Sequence, residues 1–163
     1  MTINVMFVCL GNICRSPTAH GIFQHKVEQA GLADQIYIES SGTGGWHVGK
    51  APDPRTLSAA SRRGYDFSAL RAQQVTEQDF QRFDYILAMD EVNLEDLRRM
   101  APADFSGHLG LFLNFGNRRD YREVPDPYYG GGDGFNLVLD LVESAAEGLL
   151  DHLQQDFARP PLR

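Results

Sequence analysis

The chain has 163 residues, of which 42% are hydrophobic and 23% are charged, a composition typical of one globular domain rather than a disordered chain. Its two cysteines exclude a disulfide-rich secreted framework, and its formal net charge of -7 argues against nucleic-acid binding through overall charge. With no apolar run near the roughly 20 residues of a membrane helix and no basic leader, we expect a cytoplasmic protein without membrane insertion.

Strands and helices alternate along the chain. Apolar, β-branched runs predict strands at residues 3–8, 36–38, 85–89 and 109–113. Apolar residues at helical spacing predict helices over 17–30, 54–63, 90–100 and from 135 to 153. Ser16 is the expected N-cap of the first helix, with Pro17 at its first position.

This alternation predicts the fold class. It favours an α/β fold with three layers, in which a doubly wound, mostly parallel four-stranded sheet carries helices on both faces. We expect a single domain over residues 1–157, followed by a disordered tail over 158–163 that contains two prolines.

The segment between the first strand and the first helix lies where such sheets bind ligands. A tight turn there aims backbone N–H groups inward, and the helix dipole adds positive potential, so the turn suits an oxyanion such as phosphate. Arg15 can donate two parallel hydrogen bonds to that anion. Five residues separate Cys9 from Arg15. The same potential would stabilise the thiolate of Cys9 at the base of the turn, so Cys9 could act as a nucleophile. The full segment is Val8-Cys9-Leu10-Gly11-Asn12-Ile13-Cys14-Arg15-Ser16-Pro17.

Simpler interpretations exist for each motif. A cysteine at a strand end is often only a buried apolar residue, and an Asp-Pro pair such as Asp126-Pro127 is usually a turn. The turn after the first strand also lacks the lysine of a nucleotide-binding loop. No cysteine–histidine cluster has the spacing of a zinc site, so we predict no metal.

Four segments resemble the low-molecular-weight protein tyrosine phosphatase family, in the order and approximate spacing of that family. The resemblance covers nearly the whole chain. It implies metal-independent hydrolysis of phosphotyrosine and small aryl phosphates through a cysteinyl-phosphate intermediate, with no cofactor. The segments are Val8 to Pro17, Ser40-Ser41-Gly42-Thr43 with Trp46, Met89-Asp90-Glu91 with Asn93-Leu94, and Val124-Pro125-Asp126-Pro127-Tyr128.

The resemblance assigns the catalytic roles to three residues. Cys9 is expected to be the nucleophile, and Asp126 the general acid and then the base for the water that hydrolyses the intermediate. Arg15 is expected to bind the phosphate together with the turn, whose residues are Leu10, Gly11, Asn12, Ile13 and Cys14. Ser16 would donate a hydrogen bond to the departing thiolate.

Supporting roles follow from the same resemblance. Asn12 is expected to hold the turn in shape through a left-handed backbone conformation. Ser40 is expected to support that network, and Asp90 to orient Arg15, although a helix N-cap is the plain interpretation of Asp90. Many family members carry a histidine near Leu70 and an arginine near Gln73, and neither is present here, which puts the rigidity of the turn in question.

Aromatic residues are expected at the rim of the pocket. Trp46, Tyr128 and Tyr129 would favour the flat ring of phosphotyrosine over the shorter phosphoserine. Ile13 also favours tyrosine, because a threonine tends to occupy this place in related arginine phosphatases. The expected partners are phosphotyrosine-containing proteins, with inorganic phosphate or vanadate as competitive ligands.

Cys14 lies in the same turn as Cys9. By resemblance, the two could form a reversible disulfide that protects Cys9 from deeper oxidation, whereas the alternative is that Cys14 only fills space under the turn. Two other functions stay open. A thioredoxin-coupled arsenate reductase shares this kind of loop but needs further cysteines, and a non-catalytic phosphotyrosine-binding module needs no nucleophile.

Overall fold

The computed structural model of the chain describes residues 2–128 and 133–158. A four-stranded sheet lies at its centre, with the strands in the order β2-β1-β3-β4 and every strand pair parallel. The predicted doubly wound α/β fold is therefore confirmed. The strands are β1 (Ile3–Cys9), β2 (Ile36–Gly42), β3 (Tyr85–Ala88) and β4 (His108–Leu111).

Helices cover both faces of this sheet. A 3-10 turn, Phe112–Phe115, follows β4 directly. Among the described residues, no helix is both long enough and apolar enough to cross a membrane. The helices are α1 (Arg15–Gln29), α2 (Pro54–Arg62), α3 (Asp79–Arg82), α4 (Glu91–Met100) and α5 (Gly134–Ala158).

Alternate residues of β1 enter the two halves of the core, as the two-residue period of a strand requires. Phe7 belongs to the larger half, where its ring lies 5.7 Å from Phe23 of α1 and 4.8 Å from Phe112, centroid to centroid. Met6 and Val8 belong to the smaller half, beneath α3 and α4. β1 is an inner strand that pairs with β2 and β3 and is covered on both faces, so Cys9 at its end is buried.

Helix α1 begins two residues earlier than predicted, at Arg15 instead of Pro17, and Ser16 is not its N-cap. Arg15 is the first helical residue, and the cap position belongs to Cys14, whose side chain makes no capping hydrogen bond. The Thr18 hydroxyl donates instead to the Cys14 carbonyl at 2.7 Å. The Ser16 hydroxyl is fully buried and contacts Cys9, so it does not cap the helix.

Other elements also differ from the prediction in their boundaries, most of them by one residue, and α5 extends five residues beyond its predicted end. β2 continues to Gly42 because it pairs with β1 along its whole length, in the register Cys9 to Gly42. β4 ends at Leu111, and the short helix α3 was not predicted. Of the predicted tail, Ala158 is the last residue of α5, and the remainder lies outside the described residues.

Candidate active site

Three segments meet around a cavity of about 470 Å³ at the carboxyl ends of β1 and β3. They are the turn between β1 and α1, the loop after β2, and the loop that precedes α5. The position agrees with the general rule that open α/β sheets bind ligands beyond their carboxyl edge. The lining residues are Cys9, Leu10, Gly11, Ile13, Cys14, Arg15, Trp46, His47, Asp126 and Tyr128.

The Cys9 sulfur lies at the base of this cavity and has two polar neighbours behind it. The Ser16 Oγ lies 3.0 Å from the Cys9 Sγ, and the backbone N–H of Asn12 donates to the same sulfur at 3.3 Å. Both contacts favour a negatively charged sulfur, since each can supply a hydrogen. Asn12 and Ser16 thus lie behind the turn and do not line the cavity.

Asn12 has the left-handed backbone that the family resemblance implies. Its φ is 58°, the one positive value among the described residues other than glycine. Its side chain is shared between two partners: Nδ2 donates to the Ser16 Oγ at 2.7 Å, and Oδ1 accepts from the Gln73 backbone N–H at 2.9 Å. The strained conformation is therefore fixed from both ends of the amide.

Arg15 is buried, and its guanidinium is held by two different loops. Nη1 donates to Asp90 Oδ2 at 2.6 Å and to the Val124 carbonyl at 3.2 Å. The other Asp90 oxygen accepts from the backbone N–H of Asn93 at 2.7 Å, so Asp90 both caps α4 and contacts Arg15. Burial opposes the charge on Arg15, but the Cys9 thiolate and Asp90 outweigh burial and raise the pKa of Arg15. A fixed cation thus faces the cavity.

Asp126 lines the same cavity as Arg15. Its Oδ2 is 3.6 Å from Arg15 Nη2, its Oδ1 accepts from the backbone N–H of Tyr128 at 3.0 Å, and its side chain is 35% exposed. Two residues earlier, the Val124 N–H donates to the Met89 carbonyl at 2.8 Å, which anchors this loop to the end of β3. A carboxyl group and a buried guanidinium thus share one water-accessible cavity.

The loop after β2 closes one side of the turn. The Thr43 N–H donates to the Cys9 carbonyl and the Gly44 N–H to the Leu10 carbonyl, both at 2.9 Å. A Cβ on Gly42 would lie 2.7 Å from the Leu10 carbonyl oxygen, so only glycine permits this approach.

Two of the three expected rim aromatics are at the cavity. Trp46 is 69% exposed and Tyr128 is 37% exposed. Tyr129 lies outside the described residues. His47 also lines the cavity, with its ring 6.5 Å from that of Tyr128, although no sequence motif had singled it out.

A hydrogen-bond network behind the turn contains a histidine from an unexpected element. Gln73 Nε2 donates to the Ser40 carbonyl at 2.9 Å, while its backbone N–H binds Asn12. The Ser40 hydroxyl contacts His20 Nδ1 of α1 at 3.0 Å. Burial lowers the pKa of His20 to about 4 against the opposing effect of Glu39. His20 is four residues after Ser16, a spacing that places both on one face of α1. This spacing was the sequence signal that could have placed His20 near the turn.

Cys14 is a buried residue of the turn that also lines the cavity. Burial raises the pKa of its thiol to about 12, against a lowering effect of the Thr56 side chain, and the charge of Asp53 adds to the rise. The thiol is therefore protonated at neutral pH. Within the described part of the chain, no group of three or more histidines, cysteines and carboxylates is close enough together to hold a metal ion.

The family model for the low molecular weight phosphotyrosine protein phosphatases matches residues 4–159. The chain belongs to this family. All four segments on which the resemblance was based lie within the match, and three of them contribute residues that line the cavity.

Relatives in this phosphatase family come from bacteria and eukaryotes. The chain is 43% identical to the low molecular weight protein-tyrosine-phosphatase YfkJ of Bacillus subtilis, over 94% of the chain and 97% of that protein. It is 47% identical to the low molecular weight phosphotyrosine protein phosphatase of Schizosaccharomyces pombe, over 86% and 91%. A crystal structure of the Entamoeba histolytica protein tyrosine phosphatase superposes with a TM-score of 0.91 at 35% identity, covering 96% of the chain and 99% of that structure.

Proposed function

We propose that this member of the tyrosine phosphatase family hydrolyses phosphotyrosine and small aryl phosphates through a cysteinyl-phosphate on Cys9. The observation that carries the proposal is the meeting of three groups at one cavity. The Cys9 sulfur lies at its base, the Arg15 guanidinium faces it, and Asp126 Oδ2 lies 3.6 Å from that guanidinium. A nucleophile, a cation and a proton donor are what a phosphate monoester requires.

In the first step, the Cys9 thiolate attacks phosphorus. The S–P bond forms as the P–O bond to the aryl group breaks, and Asp126 donates its proton to the leaving oxygen, so that a neutral phenol departs. Arg15 and the backbone N–H groups of the turn bind the oxygens of the transferring group, where negative charge is concentrated. Asp90 and the Val124 carbonyl keep the guanidinium in place during this step.

In the second step, water attacks the phosphocysteine. Asp126, now a carboxylate, accepts a proton from the water as the new P–O bond forms and the S–P bond breaks. The products are inorganic phosphate and the Cys9 thiolate. Ser16, whose Oγ lies 3.0 Å from the sulfur, donates a hydrogen bond that stabilises the departing thiolate.

The substrate is a phosphotyrosine-containing protein. Trp46 and Tyr128 stand at the entrance, where their rings contact an aryl group that reaches the base of the cavity, and a phosphoserine side chain is too short to span the same distance. Ile13 supplies an apolar wall in the same cavity. Inorganic phosphate and vanadate compete for the turn, and the proposed compartment is the cytoplasm, where free thiols persist.

The pair Cys9 and Cys14 is proposed to provide reversible redox control. A peroxide oxidises the Cys9 thiolate to a sulfenic acid, the Cys14 sulfur displaces water from it, and a disulfide forms that a cellular thiol later reduces. Both sulfurs are buried in the same turn. Burial keeps the Cys14 thiol protonated at neutral pH because it raises the pKa of that thiol, so its proton leaves with the sulfenic hydroxyl as water when the disulfide forms.

Hydrolysis of phenyl phosphate and of a phosphotyrosine peptide in the presence of a chelator tests the function. Cys9→Ser should abolish turnover, and Asp126→Asn should lower kcat by a factor on the order of 100 while leaving the inhibition constant of phosphate within about 3-fold. Asp120→Asn is the matched control, since Asp120 lies in the same loop but pairs with Arg118 at the surface. Undiminished turnover by Cys9→Ser would refute the mechanism.

The same assay separates the alternatives. A non-catalytic module would bind the phosphotyrosine peptide without releasing phosphate. An arsenate reductase would oxidise thioredoxin in proportion to added arsenate, a reaction we do not expect, because the sequence has no cysteine after Cys14. Preference for a phosphoarginine substrate over the phosphotyrosine peptide would contradict the substrate class assigned here.

A further inference from the structure

Arg55, the second residue of α2, has a guanidinium group that is held along one edge by the carboxylate of Asp53. Its Nε and Nη2 donate to the two carboxylate oxygens of Asp53 at 3.0 and 2.9 Å, and its backbone N–H donates to Asp53 Oδ1 at 2.8 Å. A forked pair of this kind sets the plane of the guanidinium as well as its position. Asp53 itself is buried, so it provides a rigid support.

Two aromatic rings from different segments pack on this guanidinium. The Arg55 Cζ lies 5.3 Å from the centroid of the Tyr128 ring and 4.8 Å from that of the Phe135 ring. Tyr128 belongs to the loop that carries Asp126, and Phe135 lies in the first turn of α5. One oriented cation therefore contacts the two ends of the segment between Asp126 and α5.

Tyr128, which packs on Arg55, is in turn hydrogen-bonded to Asp126. The backbone N–H of Tyr128 donates to Asp126 Oδ1 at 3.0 Å, which leaves Oδ2 to face Arg15 at 3.6 Å. A shift of Tyr128 would release Oδ1 and allow the carboxyl group to rotate away from the cavity.

Asp53 also connects Arg55 to the turn that carries the nucleophile. Its backbone N–H donates to the Ile13 carbonyl at 2.9 Å, in the turn that surrounds Cys9. Asp53 and Arg55 thus join the turn and the Asp126 loop through four fixed contacts: the Ile13 carbonyl, the carboxylate fork, and two rings.

We propose that Arg55 is a positioning residue for the general acid, which aligns Asp126 with the leaving group by holding Tyr128; this rests on the role of Asp126 in the proposed function. Arg55 does not bind the phosphate itself. It is absent from the cavity lining, and Asp53 already neutralises its charge.

The dependence of kcat/KM on the leaving group tests this role. Phenoxide is a strong base and needs the proton from Asp126, whereas 2,4-dinitrophenoxide leaves without it. Arg55→Gln should therefore lower kcat/KM about 10-fold for phenyl phosphate and less than about 3-fold for 2,4-dinitrophenyl phosphate. Arg62→Gln is the matched control, because it removes the same charge from an exposed position of the same helix, and it should leave both values unchanged.

Two further measurements exclude a general loss of structure. The rate at which iodoacetate alkylates Cys9 should be the same in Arg55→Gln as in the wild type, since the turn is intact. In an Asp126→Asn background, adding Arg55→Gln should cost less than about 2-fold for phenyl phosphate, because a residue that acts through Asp126 has no effect once that acid is gone. A purely structural role would lower activity in both backgrounds alike.

Three results would overturn the proposal: an equal loss for the two substrates, no loss with phenyl phosphate, or a full additional loss in the Asp126→Asn background. If Arg55→Gln fails to fold, Arg55→Lys decides the matter. It keeps the charge but not the forked contact, so the same selective loss supports the role and full activity refutes it. A wild-type protein that hydrolyses neither substrate refutes the proposed function itself. Activity without leaving-group selectivity in Asp126→Asn refutes only the assignment of the acid.

Discussion

Acidification should destabilise the protein through His20, the histidine that contacts Ser40 behind the turn. His20 Nδ1 lies 3.0 Å from the Ser40 hydroxyl, and burial lowers its pKa to about 4 from an ordinary value of 6.5. In the unfolded chain the imidazole binds a proton once the pH falls below about 6.5. In the folded protein it stays neutral until the pH approaches 4.

The sign follows from which state holds the proton. Between pH 6.5 and 4 the unfolded state binds more protons at this residue, so the free energy of unfolding decreases as the pH falls. For these two pKa values, the loss between pH 7.5 and pH 4.5 is about 2.5 kcal/mol. That is a large share of the roughly 5 to 15 kcal/mol by which a domain is stable.

Urea unfolding of the wild type and of His20→Asn at several pH values isolates this contribution. An asparagine keeps a polar atom within reach of Ser40 but does not titrate. Other titrating groups, Glu39 among them, are common to both proteins, so the stability difference between the two should shrink by about 2 to 3 kcal/mol from pH 7.5 to pH 4.5. Gln24→Asn on the same helix is the control, and its difference from the wild type should not change. A His20→Asn difference that stays constant across this range would refute the reasoning.

Three further substitutions test the packing of the turn and of α5. Asn12→Ala should cost about 1 kcal/mol more unfolding free energy than Asn12→Gly in urea denaturation, because glycine tolerates the φ of 58° without strain. Ser16→Ala should slow the decay of the phosphocysteine in single-turnover kinetics about 10-fold, since it removes the hydroxyl 3.0 Å from the sulfur. Gly148→Ala should lower the free energy of unfolding by about 1 to 3 kcal/mol, because a Cβ there would lie 1.7 Å from the Phe115 carbonyl oxygen. A urea midpoint equal to that of the wild type would contradict the packing described.

Local sequence patterns were sufficient for the fold. The apolar run of β1, the glycine-containing turn and the helix after it are encoded by neighbouring residues, and the structure confirms the parallel sheet that they predicted. The Asp90 N-cap was likewise visible, because capping depends on residues within one helical turn. The family assignment depended on the order of four such local segments.

Tertiary contacts explain what the sequence could not predict. Ser16 has the residue type and position of an N-cap, but its hydroxyl is taken by Cys9 and Asn12. The end of β2 has weak strand formers and is extended by pairing with β1 up to Gly42. His20 has no local signal beyond its spacing from Ser16, since its partner Ser40 comes from another strand.

Gln73 shows how a missing side chain can be replaced. The family pattern suggested an arginine at this place. The shorter amide instead donates to the Ser40 carbonyl and to Glu39, both at 2.9 Å, while the backbone of the same residue binds Asn12. At residue 73 the network behind the turn is therefore closed by a neutral group, and hydrogen bonds of Gln73 supply the rigidity that the sequence put in question.

The nucleophile and the acid are carried by structural elements of unequal stability. Cys9 ends an inner strand that is paired on both sides, whereas Asp126 is carried by an irregular loop. On gradual warming, the loop can open locally while the strand opens only with the whole domain. The reactivity of Cys9 toward alkylating agents should then survive to temperatures at which turnover has already declined.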